Sequence, residues 1–286
     1  MKDSRQALST ARGIALLRTI EMMRPPDEQL TTDPYARSFV NPVTAVTTRL
    51  MIRSGLLDRI LPAGMIDFAI VRERYVHDLM VREIRAGIEQ LVILGAGFDT
   101  RAYRIPQIGA MPVFEIDHPV TQQGKRRALQ KIRAPLPANH KFVAVDFDRD
   151  QLGERLAAAG YDEKKRTLFV WQGVIMYLTE AGIDATLGFI AGHSAPGSMV
   201  VFDYFRSDAL QGSHGAMLQL MTRAMGERIT FAIDHGQIVP FLESRGFADI
   251  VNADATEMRR LYLTGRNAKR PLIAGAAIAS ARVART

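Results

Sequence analysis

The segment Leu91-Val92-Ile93-Leu94-Gly95-Ala96-Gly97-Phe98-Asp99 joins an apolar run to a Gly-x-Gly turn and then to an acid. A short apolar run bounded by glycine predicts a buried strand. Glycines at its carboxyl end let the backbone turn tightly and approach a ligand closely. Open α/β sheets bind nucleotide-like cofactors at this place. Taken alone, the Gly-x-Gly fits a plain strand-to-helix turn equally well. The third glycine of the dinucleotide fingerprint is absent, because Phe98, Asp99 and Thr100 follow Gly97. A pyrophosphate needs a close helix N-terminus free of negative charge, and Asp99 conflicts with that. A cationic, phosphate-free cofactor has no such conflict, and S-adenosylmethionine carries both a sulfonium and an ammonium.

Two more apolar runs end in acid. Pro112-Val-Phe-Glu-Ile-Asp117 puts a carboxylate 22 residues after Gly95, near the roughly 20-residue spacing at which a strand-end acid reaches ribose hydroxyls. A carboxylate accepts two hydrogen bonds from a cis-diol, strengthened by its charge. Alternation puts Glu115 on the same side of the strand; Asp117 is favoured because it is nearer the strand end. Lys141-Phe-Val-Ala-Val-Asp146 is the third run, and its acid could accept the adenine amino group. Each acid alone also suits a helix N-cap. Three in succession point to a ligand.

The blocks LVILGAGFDTRAYRI, FEIDHPVTQQGKRR, FVAVDFD and LFVWQGVIMYLTEAGI, in this order, resemble the leucine carboxyl methyltransferase-like family of S-adenosylmethionine-dependent methyltransferases. The branch resembled is that of bacterial small-molecule and polyketide O-methyltransferases. The resemblance runs from about Arg12 to the C-terminus. It implies that Arg72, in Val71-Arg72-Glu73-Arg74-Tyr75, pairs with the cofactor carboxylate, with Arg74 as its rival. It implies that Gly95, Ala96 and Gly97 lie under the methionine portion. Asp117, with His118 beside it, would bind the ribose, and Asp146 with Phe147 the adenine. Gln172 and Gly173 match a cofactor-binding segment often written with Glu at 172. That departure removes a negative charge near the expected ammonium and sulfonium, although an amide oxygen still accepts a hydrogen bond.

Methyl transfer from a sulfonium is an in-line displacement that needs alignment and exclusion of water, not an enzyme nucleophile. A carboxylate acceptor needs no base; a hydroxyl acceptor is helped by one. Candidates near strand ends are His118, Tyr177, Asp203 and Tyr204, with His235 in a cap segment. Tyr204, His235 and Tyr177 are the expected acceptor-positioning groups. A tyrosine at a strand end equally suits a core edge with its hydroxyl in water.

The fold class expected is α/β: a doubly wound, seven-stranded Rossmann-like methyltransferase sheet with helical N-terminal and inserted cap segments. Helices are expected at 4–23, 34–39, 43–54 and 65–89, the last with Val76, Leu79, Met80, Ile84 and Ile88 as its core stripe. Strands are expected at 91–95, 112–117, 141–145, 167–173 and 198–204, with 247–252 and 271–280 closing the sheet and the last strand antiparallel. Alternation of strand and helix implies parallel pairing. Pro25-Pro26 stops the first helix. The chain reads as a single domain over 1–286: an N-terminal helical cap (1–65), a cofactor-binding core (66–204), an inserted cap (205–245) and closing strands (246–286). Met217, Leu218, Leu220, Met221 and Met225 fall at helical spacing. Ordinary core packing is the weightier reading of them, and an apolar acceptor wall the other.

An apolar content of 47% and a charged content of 23% are ordinary for a globular chain. No apolar run reaches the roughly 18 residues of a membrane helix, and the N-terminus lacks a signal-peptide pattern. Without cysteine there are no disulfides or thiolate metal sites, which fits a cytoplasmic protein. The six histidines form no ligand-spaced pair, so no built-in metal is expected. Net charge is +7. Lys125-Arg126-Arg127 and the stretch 266–270 are not interleaved with aromatics, so nucleic acid is not the expected partner. The Lys125 run reads as a solvated helix face. A basic surface suits acidic substrates or an acidic acyl carrier protein. The expected partner is a small-molecule acceptor, with no membrane association. The oligomeric state is open, a homo-oligomer included. A nicotinamide oxidoreductase, a non-catalytic adenosyl-ligand binder and an RNA methyltransferase are the other readings.

Overall fold

The computed structural model describes residues 2–57, 61–134, 136–145, 150–224 and 228–284. Seven strands form one sheet: β1 (Gln90–Leu94), β2 (Val113–Asp117), β3 (His140–Ala144), β4 (Thr167–Trp171), β5 (Met199–Phe205), β6 (Phe247–Ala253) and β7 (Ala276–Val283). Their order is β3-β2-β1-β4-β5-β7-β6. The first five pair in parallel, and β7 runs antiparallel to both β5 and β6. The chain leaves β1 toward β2 on one side and returns to β4 on the other. The crevice at the carboxyl ends of β1 and β4 is therefore the switch point at which such sheets bind ligands.

The central strands are apolar on both faces because both faces are covered. Alternation sends Leu91, Ile93, Leu168, Val170 and Val201 to one side. There they meet Val76, Leu79 and Met80 of α3 (Met65–Arg85). Val92, Leu94, Phe169, Trp171, Val200 and Phe202 point the other way, onto Ile183, Leu187 and Ile190 of α7 (Glu180–Gly192). The N-terminal segment supplies α1 (Lys2–Glu21) and α2 (Pro42–Arg53), the short α4 (Arg101–Arg104) follows β1, α6 (Leu152–Ala158) precedes β4, and α8 (Gly212–Ala224) follows β5.

Several boundaries differ from expectation. α3 ends at Arg85, not 89, because Gly87 turns left-handed (φ +96°). Ile88 then donates its amide to Glu83 O, a glycine-based helix stop. Residues 36–39 make a single 3-10 turn. β4 ends at Trp171, since Gly173 (φ +71°) cannot extend a strand. β7 starts at Ala276 rather than 271. Before it the backbone of Leu272 and Ile273 packs so closely on Gly64 that a Cβ there would lie 2.5 Å from Ile273 N.

Lys125 corrects the reading of its basic run. It lies in α5 (Pro119–Lys131), is 1% exposed, and its Nζ sits 2.6 Å from Glu115 Oε2. His140 Nε2 lies 3.2 Å from the other oxygen. Only Arg126 and Arg127 of that run face solvent. Among the described residues no helix is long and apolar enough to cross a membrane.

Candidate active site

A cavity of about 530 Å³ opens at the switch point, within the range of small-molecule sites. Its floor is the turn after β1. Gly95 (φ +64°) and Gly97 (φ +48°) both adopt left-handed backbone. A Cβ on Gly95 would lie 2.4 Å from Val174 Cγ2 in the turn after β4, so only glycine lets the two strand-end turns meet. Ala96 lines the same floor, and its amide donates to Ile116 O, tying the turn to β2.

Asp117 ends β2 at the cavity wall. Its Oδ2 accepts the Gly97 amide at 2.5 Å and its Oδ1 the His118 amide at 2.6 Å. Burial pushes its carboxyl up to about 6, against the downward pull of those amides and of Lys125. Glu115, on the same side of β2, is engaged by Lys125 and His140 instead, and does not line the cavity. His118 also lines the cavity; it caps α5, Nδ1 accepting the Val120 amide at 3.3 Å.

Across the cavity α3 delivers Arg72. Its Nη1 donates to Asp203 Oδ2 at 2.5 Å, and Asp203 Oδ1 accepts the Gly173 amide at 2.6 Å. The fork thereby comes to rest beside Gly173, whose missing Cβ would stand 3.2 Å from Arg72 Nη2. Among the described residues Arg72 Nε is buried without a hydrogen-bond partner. Arg74, about 200° further around the helix from Arg72, turns to Asp78 and Leu30 O and is not on the cavity wall. The glycine cradle, the strand-end carboxylate and the inward guanidinium suit a ligand with a diol and a carboxylate. They fit S-adenosylmethionine.

Residues 11–191, more than half of the chain, match the sequence profile of leucine carboxyl methyltransferases. The chain belongs to the leucine carboxyl methyltransferase family. It is a methyltransferase of the S-adenosylmethionine-dependent class, as its relatives are named. A provisionally named S-adenosyl-L-methionine-dependent methyltransferase of Mycolicibacterium smegmatis is 31% identical over 229 residues, covering 78% of this chain and 76% of that one. One from Rhodococcus jostii is 35% identical over 215 residues, covering 72% and 71%. Among solved structures, a DUF574 family protein from Streptomyces avermitilis superposes with a TM-score of 0.62 at 12% identity, over 94% of this chain and 96% of that one. That likeness shows the fold. Membership of a methyltransferase family displaces the nicotinamide reading.

Not every expected residue meets this methyltransferase cavity. Tyr204 does not line it. On β5, Asp203 reaches Arg72 and Phe205 reaches the cavity, so alternation turns Tyr204 to the opposite face. There its hydroxyl donates to Asn252 Oδ1 at 3.2 Å, and burial pushes its pKa up to about 12. His235 is exposed in the turn before the short helix α9 (Ile238–Glu243) and is also off the cavity wall. Both depart from the acceptor-positioning role expected of them. Tyr177 does line the cavity, as do Gln172 and Gly173. Asp146 and Phe147 lie outside the described residues.

The cap segments form the outer wall. Ile14 and Leu17 of α1, Thr48 of α2, and Leu218 and Thr222 of α8 face the cavity. Met217 and Leu220 of the expected apolar stripe are 40% and 62% exposed, so that stripe is not a continuous wall; the side chains of Met221 and Met225 are not described. Sequence reasoning missed the buried charges under this wall. Arg101, 0% exposed, donates to Asp99 Oδ2, Glu73 Oε2 and Gln172 Oε1. The negative charge expected of Asp99 is thus matched by Arg101. Arg18 of α1 donates to Phe98 O at 2.5 Å and pairs with Asp33 at 3.1 Å, locking α1 onto the glycine turn. The only signal in the sequence was proximity: Glu73 adjoins Arg72, and Arg101 closes the Gly-Ala-Gly-Phe-Asp-Thr-Arg block.

Proposed function

We propose that this methyltransferase O-methylates a small apolar compound, a carboxylic acid before a phenol or alcohol, of polyketide-like character. The observation that carries it is the division of the cavity wall. Arg72 and Glu73 of α3, with Arg72 beside Gly173, and Asp99, Asp117 and His118 at or after the strand ends put the charged groups on the inner wall. The side chains from α2, α8 and the 57–69 stretch are Thr48, Leu57, Leu61, Met65, Ile66, Phe68, Ala69, Leu218 and Thr222. That outer half offers apolar surface and hydroxyls but no acid, imidazole or amine among the described residues. An acceptor that arrives already ionised needs none.

When bound, S-adenosylmethionine supplies an electrophilic methyl on its sulfonium. The chain's own groups orient it. Arg72 pairs with the amino-acid carboxylate, a charge-assisted fork. Asp117 accepts from the ribose hydroxyls. Gly95 and Gly97 let the backbone come close. α1, held down by Arg18, and α8 shut out water. Tyr177, on the cavity wall, would orient an acceptor oxygen in this reading. We assign the reaction to the cytoplasm on the cysteine-free composition, and the excess of basic residues favours an acidic acceptor.

The test has two stages. Calorimetry with S-adenosylmethionine and S-adenosylhomocysteine, with NADH as control, should show micromolar binding of the first two only. Incubation with apolar carboxylic acids and phenols, read by mass spectrometry, should then yield methylated product. Products cleaved by mild alkali are esters and support the carboxylate; alkali-stable ethers point to the hydroxyl. Cofactor binding with transfer to neither class would leave an adenosyl-ligand binder and defeat the proposal.

A further inference from the structure

Glu73 is 2% exposed and stands on the cavity wall. Its Oε1 accepts Gln172 Nε2 at 2.7 Å. Its Oε2 accepts Arg101 Nη2 at 2.7 Å, and the same nitrogen donates to Gln172 Oε1 at 2.6 Å. Three side chains thus close a ring of hydrogen bonds. Arg18 Nη1 and Arg104 Nη2 stand 3.6 and 3.7 Å from the carboxylate, and Arg72 is its neighbour on α3.

The ring has a chemical constraint. A carboxylate only accepts and a guanidinium only donates, so the third member must do both. An amide does. An ionised glutamate at 172 would offer no donor to Glu73, and two carboxylates about 3 Å apart cannot both ionise, so that pair would have to hold a proton. Glutamine at 172 meets the constraint beside Glu73 without taking up a proton.

We propose that Glu73 and Gln172 act as one anionic unit that carries a single negative charge at the amino-acid end of the cofactor site, with Glu73 as the residue that positions Gln172 and Arg101. The unit rests on the reading of this cavity as the S-adenosylmethionine site. Its signature is exchangeability. Glu73→Gln together with Gln172→Glu keeps the charge and all three bonds: Arg101 still donates to both side chains, and the amide at 73 donates to the carboxylate at 172.

The experiment measures S-adenosylmethionine and S-adenosylhomocysteine Kd by calorimetry, and melting temperature without ligand, for wild type, E73Q, Q172E and the double variant. Each single change should weaken binding of S-adenosylmethionine by about tenfold or more, the scale of one pKa unit of misplaced charge. The double variant should return to within about threefold of wild type, under 1 kcal/mol. If Gln172 acts by itself, added charge at 172 should attract the cationic cofactor, and tighter binding by Q172E would overturn the proposal. A double variant that melts like wild type but binds no better than the single ones would also overturn it. Should E73Q or the double variant fail to fold, the direction of the Q172E effect decides alone. Wild type that binds neither ligand would remove the cofactor site itself, a failure distinct from that of the unit.

Discussion

Two carboxylates on one face of β2 show how surroundings set the role of a residue. Glu115 is matched by Lys125 and His140 and is spent on holding α5 and β3 to β2. Among the described residues Asp117 accepts only from backbone amides, and burial pushes its carboxyl up to about 6. A raised folded-state value means that the proton is held to higher pH than in the unfolded chain. Its contribution to the cofactor-free protein is therefore fully present below the unfolded value and lost as pH rises through about 6. In the proposed role Asp117 accepts from ribose in its ionised form, so binding would have the opposite slope. S-adenosylmethionine affinity should be level above pH about 6 and should fall below it, by up to about tenfold per unit. Calorimetry at several pH values checks this, and Asp117→Asn should lose the inflection. Equal affinity on both sides of the inflection would show that Asp117 does not bind the cofactor as an anion.

At the scale of elements, the site is an interlock of strand ends. The turn after β1 and the turn after β4 touch through Gly95 and Val174, and neither can be changed without the other. Gly95→Ala faces a left-handed backbone, costing about 1–2 kcal/mol, and overpacking against Val174, costing about 1–3 kcal/mol. Urea denaturation should show that combined loss. Val174→Ala in the same chain should recover the packing share but not the backbone share. Full recovery would mean that φ is not strained, and no recovery would mean that Val174 is not the obstacle. α1 belongs to this scale as well: Arg18 donates to Phe98 O, and Ala11 Cβ would stand 3.4 Å from a Cβ on Gly97. α1 is thereby a wall of the cavity.

At the scale of the molecule, the closing segment returns to grip the N-terminal half. Arg270, just before β7, donates to Asp67 Oδ1 at 2.6 Å and to both oxygens of Glu21, at 2.8 and 3.0 Å. One side chain, 7% exposed, ties the end of α1 and the start of α3 to the closing strands. Removing one partner of a buried ionic group leaves uncompensated charge and costs about 3–5 kcal/mol. Arg270→Met should lower the urea midpoint accordingly with little change in slope. An unfolding free energy within about 1 kcal/mol of wild type would show that the clamp is replaced by water.

What the sequence determined by itself was local and repetitive. Apolar runs of strand length specified β1 to β5 and, by alternation with helices, their parallel pairing, because burial on two faces demands such runs; the glycine or acid after the first three marked the ligand edge of the sheet. The family motifs named Arg72, Gly95, Gly97, Asp117 and Gln172, all of which the fold brings to one cavity. Tertiary structure decided what depends on orientation and on partners distant in the chain. Strand parity turned Tyr204 away while admitting Phe205. Packing across 99 residues made Gln172 the partner of Glu73, and across 249 residues made Arg270 that of Glu21. A pattern of periods two and 3.6 records which face is buried. It does not record which buried charge faces which, since that depends on how whole elements dock.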